Sequence, residues 1–348
     1  MAADRPLTTT AAVASRHGGP EVLDVRPWDV APPGPDEVRL RIEAAGISFA
    51  DLLICQGMHP ERRRAPFVPG WDVVGVVESF GSNVRDVAPG DRVAALSIVG
   101  GWAEHVVVPS SVVVPVAPGV EPTAAVCLVM DYIVAYQMLT RSASVRRGDT
   151  VLIQGAGGGV GTALMQLGRQ MGVQVLGADR EKKRSHVEAE GGVLIDFERE
   201  DVVKRCKQLT GGRGVDVAFD GIGATARASL RAVRPGGKMV WFGMVTMLSG
   251  GARDLLRTAK TVGNVAAVFA QNLRPGGKRI SFYSIQKLAR SHADWYRADL
   301  AVLLAMLADR TIHPQISAVW KLSDVPHAVT VFAKGSMPGK QVVAIGAS

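Results

Sequence analysis

The spacing of hydrophobic positions changes character along the chain. Residues 1–130 contain short alternating or apolar runs, such as EVRLRI at 37–42 and VVGVV at 73–77, which turn segments such as APPGPDE and APGDRV separate. Apolar residues at every second position, bounded by glycine and proline, indicate strands that bury one face. We therefore predict a β-rich, antiparallel domain over residues 1–130.

Residues 131–280 alternate strand-like runs with helical stretches. The runs are TVLIQG, VQVLGAD, VLIDF, VDVAFDG and KMVWFG. This alternation predicts βαβ units, and hence an α/β domain with a doubly wound parallel sheet. Residues 281–348 contain the amphipathic pattern DLAVLLAMLADR and further strand-like runs. We predict that this last segment returns to the first domain.

A glycine-rich segment, QGAGGGVGT, joins the first of these runs to a helical pattern. Glycine permits a sharp turn and lets the backbone approach a pyrophosphate, and a helix N-terminus presents free N–H groups to it. The segment therefore predicts a dinucleotide-binding site. The residues expected to contact the cofactor here are Ala156, Gly157, Gly158, Gly159, Val160 and Gly161.

The residues at the end of the next predicted strand do not decide between NADH and NADPH as the cofactor. Asp179 stands where a carboxylate binds the adenosine ribose hydroxyls and repels a 2′-phosphate, which favours NADH. The cations Arg180, Lys182, Lys183 and Arg184 follow directly, and a 2′-phosphate would be bound by such cations, which favours NADPH. A solvated helix start explains the same basic run equally well.

The charge of the chain raises the possibility of a nucleic-acid partner. The formal net charge is +8 and the pI is about 9.6, a balance that is compatible with nucleic-acid binding. The basic residues are scattered, however, apart from residues 62–64 and 180–184. A solvated basic surface that attracts small anions explains this distribution better, and we predict no specific nucleic-acid partner.

Cysteine content and hydropathy point to a cytoplasmic protein. Cys55, Cys127 and Cys206 lie far apart in the sequence, which argues against a disulfide framework and fits a reducing compartment. The sequence contains no run of about 18 uninterrupted apolar residues. Its first residues, MAADRPLTTTAAVAS, lack the pattern of a signal peptide. We therefore expect no membrane insertion.

Several longer segments occur in the order that is typical of one enzyme superfamily. They are GISFADLLICQGMHP, FVPGWDVVGVVESFGSNVRDVAPGDRV and QGAGGGVGTALMQLGRQMG. With them the chain resembles the medium-chain dehydrogenase/reductase superfamily, and within it the zinc-free quinone oxidoreductase and enoyl reductase branch. The resemblance implies a GroES-like β-rich domain joined to a Rossmann domain, a homodimer, and NADPH as the favoured cofactor.

The resemblance also implies that zinc is absent. Zinc-containing members place a cysteine where Ser48 stands and a His–Glu pair where Trp71 and Asp72 stand. Tryptophan does not ligate zinc, and the cysteines are too few for the four-cysteine zinc lobe of those members. Without a metal, the expected reaction is hydride transfer from a nicotinamide to a C=C conjugated to a carbonyl. The substrate would be a quinone, an enone or an enoyl thioester.

The resemblance gives three candidate catalytic residues. Ser48 and Asp51 stand at the branch's Asn and Asp positions near the nicotinamide, and His59 stands where many relatives have tyrosine. A histidine there could protonate an enolate and would titrate near neutral pH. The alternatives are a helix-capping or salt-bridged aspartate at Asp51 and a solvated loop histidine at His59.

Further cofactor contacts are expected by resemblance at the carboxyl ends of later strands and beyond them. These residues are Gly221, Ile222, Gly223, Gly243, Met244, Phe282, Tyr283 and Lys340. For Phe282 and Tyr283 core packing or a dimer edge is the alternative, and for Lys340 an ordinary surface lysine. Residues 244–273 are rich in Met, Leu, Val and Ala, so they form either a lid over an apolar substrate or ordinary packing.

Two versions of the function remain open from sequence alone. One is a tailoring enoyl reductase of bacterial secondary metabolism, which the frequent Ala, Gly and Arg residues suggest through a GC-rich genome. The other is a degenerate member that binds a dinucleotide without turnover and acts as a sensor or scaffold. This second version would explain why the chain has Ser48 in place of the branch's asparagine and His59 in place of its tyrosine.

Overall fold

The computed structural model describes residues 6–61, 63–243, 263, 267–273, 277–335 and 337–346. The chain divides into two compact units. The first unit comprises residues 1–133 and 286–348, and the second comprises residues 134–285. The C-terminal segment thus belongs to the same unit as the N-terminal one.

The secondary structure follows the alternation of the sequence. The strands are β1 (Leu7–Ala14), β2 (Leu23–Val30), β3 (Glu37–Ile47), β4 (Asp72–Phe80), β5 (Arg92–Leu96), β6 (His105–Pro109), β7 (Val113–Pro115), β8 (Thr150–Gln154), β9 (Gln174–Asp179), β10 (Val193–Asp196), β11 (Val215–Asp220), β12 (Val233–Trp241), β13 (Arg279–Phe282), β14 (Ile316–Lys321) and β15 (Lys340–Ala344). The helices are α1 (Phe49–Cys55), α2 (Pro122–Cys127), α3 (Ile133–Gln137), α4 (Gly159–Gln170), α5 (Arg184–Ala189), α6 (Val202–Leu209), α7 (Ala226–Ala232), α8 (Ile285–Ser291), α9 (Ala293–Ala308) and α10 (Val325–Ala333).

The first unit is built on a mostly antiparallel sheet. Its strands run in the order β14-β15-β3-β4-β5-β7, and β6 pairs with β3 off this path. The C-terminal strand β15 pairs antiparallel with β3, with Gln341 opposite Ile47. β4 pairs with the other edge of β3, with Val73 opposite Ala45. The starts of β15 and β4 therefore lie close together at one end of β3.

The second unit is built on a six-stranded parallel sheet. The strand order is β10-β9-β8-β11-β12-β13, and every pairing in it is parallel. β8 and β11 are buried at every position, as expected for strands covered by helices on both faces. This is the doubly wound order that is typical of dinucleotide-binding sheets. The predicted fold class, a GroES-like domain with a Rossmann sheet, is confirmed.

One helical segment, Pro122–Ser142, is long and apolar enough to cross a membrane by length and composition. It has a mean hydropathy of 1.4, and 72% of its most apolar window is buried inside the protein. Two of its turns, Leu128–Tyr132 and Met138–Ser142, are π-helical. Core helices of soluble proteins have the same composition, so this segment is weak support for a membrane span.

Candidate active site

The glycine-rich segment of the second unit forms a tight turn between β8 and α4. Gly155 has a φ of +77°, which favours glycine, and its N–H donates to the carbonyl of Ala178 at 2.9 Å. Gly158 is the N-cap of α4. The first bond within this helix runs from the N–H of Thr162 to the carbonyl of Gly158 at 2.8 Å. The N–H groups of residues 159–161 precede that bond, so they can bind an anion.

The glycines of this turn serve different purposes. A Cβ at Gly161 would collide with the carbonyl oxygens of Ala156 and Gly155, so packing within the protein requires glycine there. A Cβ at Gly158 would meet nothing closer than the carbonyl oxygen of Gly155 at 3.4 Å. The protein itself therefore tolerates a side chain at Gly158. The open space over this position at the start of α4 suits a pyrophosphate.

Asp179 anchors the glycine turn through its carboxylate. Oδ2 accepts the N–H of Gly157 at 2.8 Å, and Oδ1 accepts the N–H of Arg180 at 2.8 Å. Lys183 Nζ lies 3.7 Å from Oδ2 and donates to the carbonyl of Gly157 at 3.3 Å. Burial lowers the pKa of Lys183, and the charge of Asp179 opposes this shift. The negative charge at this strand end is thus matched by a buried cation.

The other cations after β9 lie on the surface. Arg180 is paired with Glu198 at 3.0 Å, with both side chains about half exposed. Arg184 donates to Glu181 at 2.7 and 2.8 Å and to Glu188 at 3.0 Å. Exposed pairs of this kind are readily exchanged for another anion because water screens them.

A second turn lies beside the glycine turn, and Asp220 holds it. Its Oδ1 accepts the N–H groups of Ile222 and Gly223 at 2.9 and 3.0 Å. Its Oδ2 accepts the hydroxyls of Thr225 and Ser229 at 2.7 and 2.6 Å. Sequence reasoning missed Asp220, although an aspartate followed by Gly-x-Gly is a signal for a side-chain-capped turn.

The neighbouring strand end contributes the next predicted positions. A Cβ at Gly221 would lie 2.8 Å from the ring of Phe242, and one at Gly243 would lie 2.8 Å from the carbonyl oxygen of Gly221. Gly221, Ile222, Gly223 and Gly243 therefore follow the carboxyl ends of β11 and β12, on the edge where ligands of such sheets bind. Met244, and most of the predicted lid at 244–273, lie outside the described residues.

The two aromatic candidates at the end of β13 differ in exposure. Phe282 is 55% exposed, and its ring centroid lies 4.9 Å from that of Trp241. Tyr283 is buried, and its hydroxyl donates to Oε1 of Gln137 at 2.8 Å. Tyr283 therefore packs within the second unit, whereas Phe282 presents an apolar surface.

In the first unit, Ser48 and Asp51 cap helix α1. The N–H and the hydroxyl of Ser48 donate to Asp51 Oδ2 at 2.8 and 2.7 Å, and the N–H of Gly70 donates to Oδ1 at 3.0 Å. Burial raises the pKa of Asp51 to about 7, and the charge of Asp72 adds to this shift, while hydrogen bonds from Ser48 and the charge of Lys340 oppose it. Asp51 is therefore a fully buried carboxyl that holds a proton close to neutral pH.

Lys340 is a buried member of an ion cluster. Its Nζ lies 2.8 Å from Asp72 Oδ2 and 3.5 Å from Asp131 Oδ1, with every partner at most 9% exposed. Burial lowers the pKa of Lys340, but Asp131 and Asp72 outweigh burial and raise it above its ordinary value. Burial also raises the pKa of Asp131. The sequence predicts either a cofactor contact or a surface position for the ammonium of Lys340. In the structure this ammonium is buried and paired with Asp72 and Asp131.

His59 lies half-buried in the first unit. The edge of its ring faces Trp71, with centroids 4.9 Å apart and planes at 70°. Its Nδ1 accepts the N–H of Glu61 at 3.0 Å. Its Nε2 lies 3.4 Å from Nε2 of Gln286, a neighbour that sequence reasoning could not find because α8 is far away along the chain.

The positions of the zinc ligands in other members hold different side chains here. Ser48 is hydrogen-bonded to Asp51, Trp71 is fully buried, and Asp72 is paired with Lys340. Across the part of the chain that the structure describes, no three His, Cys, Asp or Glu side chains cluster in a way that could hold a metal ion.

Comparisons with known proteins agree with this architecture. The model of the alcohol dehydrogenase GroES-like domain matches residues 34–118, and that of the zinc-binding dehydrogenase matches residues 159–272. A quinone oxidoreductase of Pseudomonas aeruginosa is 34% identical over 234 residues, which cover 65% of this chain and 71% of that protein. The human synaptic vesicle membrane protein VAT-1 homolog is 32% identical over 342 residues, which cover 96% of this chain and 86% of that protein.

Solved structures extend the likeness to nearly the whole chain. A Pseudomonas syringae quinone oxidoreductase superposes with a TM-score of 0.85 at 28% identity, covering 97% of this chain and 99% of that one. A mycobacterial protein solved as a complex with NADPH gives a TM-score of 0.83 at 27% identity, with the same coverage. The chain belongs to the medium-chain dehydrogenase/reductase superfamily, as an oxidoreductase of the quinone oxidoreductase family. The predicted superfamily is confirmed.

Proposed function

We propose that this protein is an NADPH-dependent reductase of C=C bonds conjugated to a carbonyl, as in a quinone, an enone or an enoyl thioester. The observation that carries the proposal is the glycine turn of the second unit, with open space over Gly158 at the start of α4. The quinone oxidoreductases among its relatives support a quinone-like substrate. The finer role of a tailoring enoyl reductase in bacterial secondary metabolism is one version of this function.

NADPH is the proposed cofactor rather than NADH. The carboxylate of Asp179 already accepts two main-chain N–H groups and faces Lys183, so its repulsion of a 2′-phosphate is offset. Arg180 and Arg184 add exposed positive charge directly after the same strand. The mycobacterial relative solved with NADPH supports this choice.

The proposed reaction divides between the cofactor and the protein. When bound, NADPH supplies a hydride to the carbon β to the carbonyl. The C=C electron pair then forms a double bond between the α-carbon and the carbonyl carbon, and the C=O pair moves onto the oxygen as an enolate. A proton from water at the α-carbon, with return of the electron pairs, completes the reduction of an enone. His59 carries the hydrogen-bond donor of the first unit that we assign to this oxygen, whereas the Ser48 hydroxyl donates to Asp51. Donors held in place stabilise the negative charge that develops there.

The reaction is proposed to proceed without zinc. The side chains at the three positions of zinc ligands are engaged in packing or in bonds to Asp51 and Lys340. Metal analysis of the purified protein tests this point, and stoichiometric zinc together with loss of activity on chelation would contradict it.

We also propose a cytoplasmic protein without specific nucleic-acid binding or membrane insertion.

We further propose a homodimer that forms along β13. Among the strands that the structure describes, β13 lies at the edge of the six-stranded sheet, and it carries the 55% exposed side chain of Phe282. An edge strand with an exposed aromatic ring is suited to pair with a second copy. Sedimentation should give twice the mass of 36.8 kDa, and Phe282→Lys should shift it toward the monomer.

The reductase proposal is tested by two assays on the purified protein. Fluorescence titration with NADPH and NADH measures cofactor binding, and a panel of quinones and enones then measures NADPH consumption. Consumption with an acceptor supports the reductase. Tight NADPH binding without consumption by any acceptor would favour the sensor or scaffold version instead.

A further inference from the structure

Four elements of the first unit bring polar side chains to one buried point. Asp72 begins β4, Lys340 begins β15, and Asp131 lies in the π-helical turn that precedes α3. Tyr296 lies on the buried face of α9, which packs against that turn. Burial raises the pKa of the Tyr296 hydroxyl and the charge of Asp72 raises it further, so this hydroxyl lies near the carboxylate. We call these four residues the Asp72 cluster, and each is at most 6% exposed.

The carboxylate of Asp72 lies directly over the main chain of β3. A Cβ at Gly46 would collide with both of its oxygen atoms, so glycine leaves the room that the carboxylate fills. Gly46 pairs with Val342 of β15, two positions after Lys340. The sheet thus sets the carboxylate beside the ammonium, and Oδ2 of Asp72 lies 2.8 Å from Nζ of Lys340.

Several buried polar atoms of the Asp72 cluster have no hydrogen-bond partner among the residues that the structure describes. They are both carboxylate oxygens of Asp72, the hydroxyl of Tyr296 and Nζ of Lys340. The short contact between Lys340 and Asp72 is an ion pair without the angles of a hydrogen bond. Buried polar atoms in folded proteins nearly always bond to a protein group or to an ordered water. The cluster therefore calls for a further group that bonds to these atoms.

The chemistry of these atoms selects the kind of group. Tyr296 and Lys340 offer O–H and N–H donors, whereas the carboxylate of Asp72 only accepts. A bound anion would be repelled by the carboxylates of Asp72 and Asp131, and a bound metal ion by the ammonium of Lys340. A water molecule is neutral, and it both donates and accepts, so it matches donors and acceptors together.

We propose that the Asp72 cluster is a binding site for one buried water molecule, which donates to Oδ1 of Asp72 and accepts from the Tyr296 hydroxyl and the Lys340 ammonium. Three bonds of this kind are typical of a buried water. The water links α9 to the ion pair between β4 and β15, and Tyr296 is the residue through which α9 takes part. The site uses none of the groups assigned to cofactor or substrate above, so it stands or falls independently of the reductase function.

A crystal structure of the full-length protein, at a resolution that shows ordered waters, tests the site directly. It should show one well-ordered water at about 2.8 Å from Oδ1 of Asp72 and from the hydroxyl oxygen of Tyr296. Crystals grown with RbCl distinguish this water from a monovalent cation, because rubidium scatters anomalously. An anomalous peak at this position would overturn the proposal. So would electron density without any peak between the two side chains.

The stability of Tyr296→Phe gives a second test in solution, because the sign of its change depends on the water. Removing a buried hydroxyl that has a partner destabilises a protein, whereas removing one without a partner is neutral or stabilising. Tyr296→Phe should therefore unfold at a lower urea concentration than the wild type. Tyr283→Phe is the control, because the Tyr283 hydroxyl donates to Gln137 and its removal should lower the midpoint as well. An unchanged or higher midpoint for Tyr296→Phe would contradict the water site.

Discussion

The ammonium of Lys340 lies 2.8 Å from a carboxylate oxygen of Asp72, and both side chains are almost closed to solvent. Asp131 joins the pair at 3.5 Å. Lys340 begins β15 and Asp72 begins β4, two strands that flank β3. The cluster therefore ties the C-terminal segment of the first unit to its N-terminal part by buried charge.

Removing the cation should destabilise the protein strongly. Lys340→Met keeps the length of the side chain but leaves Asp72 and Asp131 buried without a counter-ion, which typically costs about 3–5 kcal/mol. Urea denaturation at pH 7.5 measures the free energy of unfolding. Lys321→Met, at an exposed position of β14, is the control and should change it little. A loss below about 1 kcal/mol for Lys340→Met would mean that the cluster contributes no net stability.

Asp51 should make stability fall as the pH rises. Its pKa is about 7 in the folded protein and 3.8 as an ordinary carboxyl, so the folded state binds the proton more tightly. The stabilisation is complete below about pH 4 and is lost as the pH rises to about 7. Its size is roughly 4 kcal/mol at most, from about 1.4 kcal/mol per unit of pKa.

The variant that checks this dependence is Asp51→Asn. Its amide cannot ionise, so the difference in unfolding free energy between variant and wild type should move in favour of the variant between pH 4 and pH 7. The amide also faces the N–H of Ser48, which adds a pH-independent cost of about 1 kcal/mol. Parallel curves for the two proteins over this range would show that folding does not raise the pKa of Asp51.

Substitutions at two glycines of the turn should separate effects on protein stability from effects on cofactor binding. Gly158→Ala places a Cβ where the protein has room, so the melting temperature should stay near that of the wild type. The same Cβ should obstruct the pyrophosphate and weaken NADPH binding by about tenfold or more. Gly161→Ala should lower the melting temperature, because its Cβ collides with backbone oxygens. Normal NADPH affinity in Gly158→Ala would refute the placement of the pyrophosphate.

The cations after β9 should discriminate between the two cofactors. Replacing Arg180 and Arg184 together by alanine should weaken NADPH binding by about tenfold if, as we propose, each donates a charge-assisted bond to the 2′-phosphate. NADH binding should change much less, since NADH lacks that phosphate. Arg205→Ala, which breaks a surface pair with Glu200, is the control. Equal losses for both cofactors would mean that these arginines act on protein structure.

The sequence predicts the parallel sheet and the glycine turn because both depend on local pattern. β8, its glycines and α4 are consecutive in the chain, and so are the alternating strands and helices around them. The ion cluster is not predictable in this way, because Lys340 meets Asp72 and Asp131 only after β15 pairs with β3. The contact between His59 and Gln286 is unpredictable for the same reason, since Gln286 lies on a helix near the end of the chain.

The exposure of side chains is also set by tertiary packing. The two aromatic residues at the end of β13 are adjacent in sequence, yet Phe282 is 55% exposed and Tyr283 is buried. Successive side chains of a strand point to opposite faces, so adjacent residues there meet different surroundings. Which of the two faces is covered depends on the neighbouring elements, and a single sequence does not state it.

The most direct test of the account follows the hydride itself. NADPH that carries deuterium at C4 of the nicotinamide is incubated with the protein and an enone, and the product is analysed by mass spectrometry and NMR. Hydride transfer from NADPH predicts one deuterium at the carbon β to the carbonyl and a solvent-derived hydrogen at the α-carbon. A saturated product without deuterium at the β-carbon from either C4 face of NADPH, or no product in spite of tight NADPH binding, would contradict it.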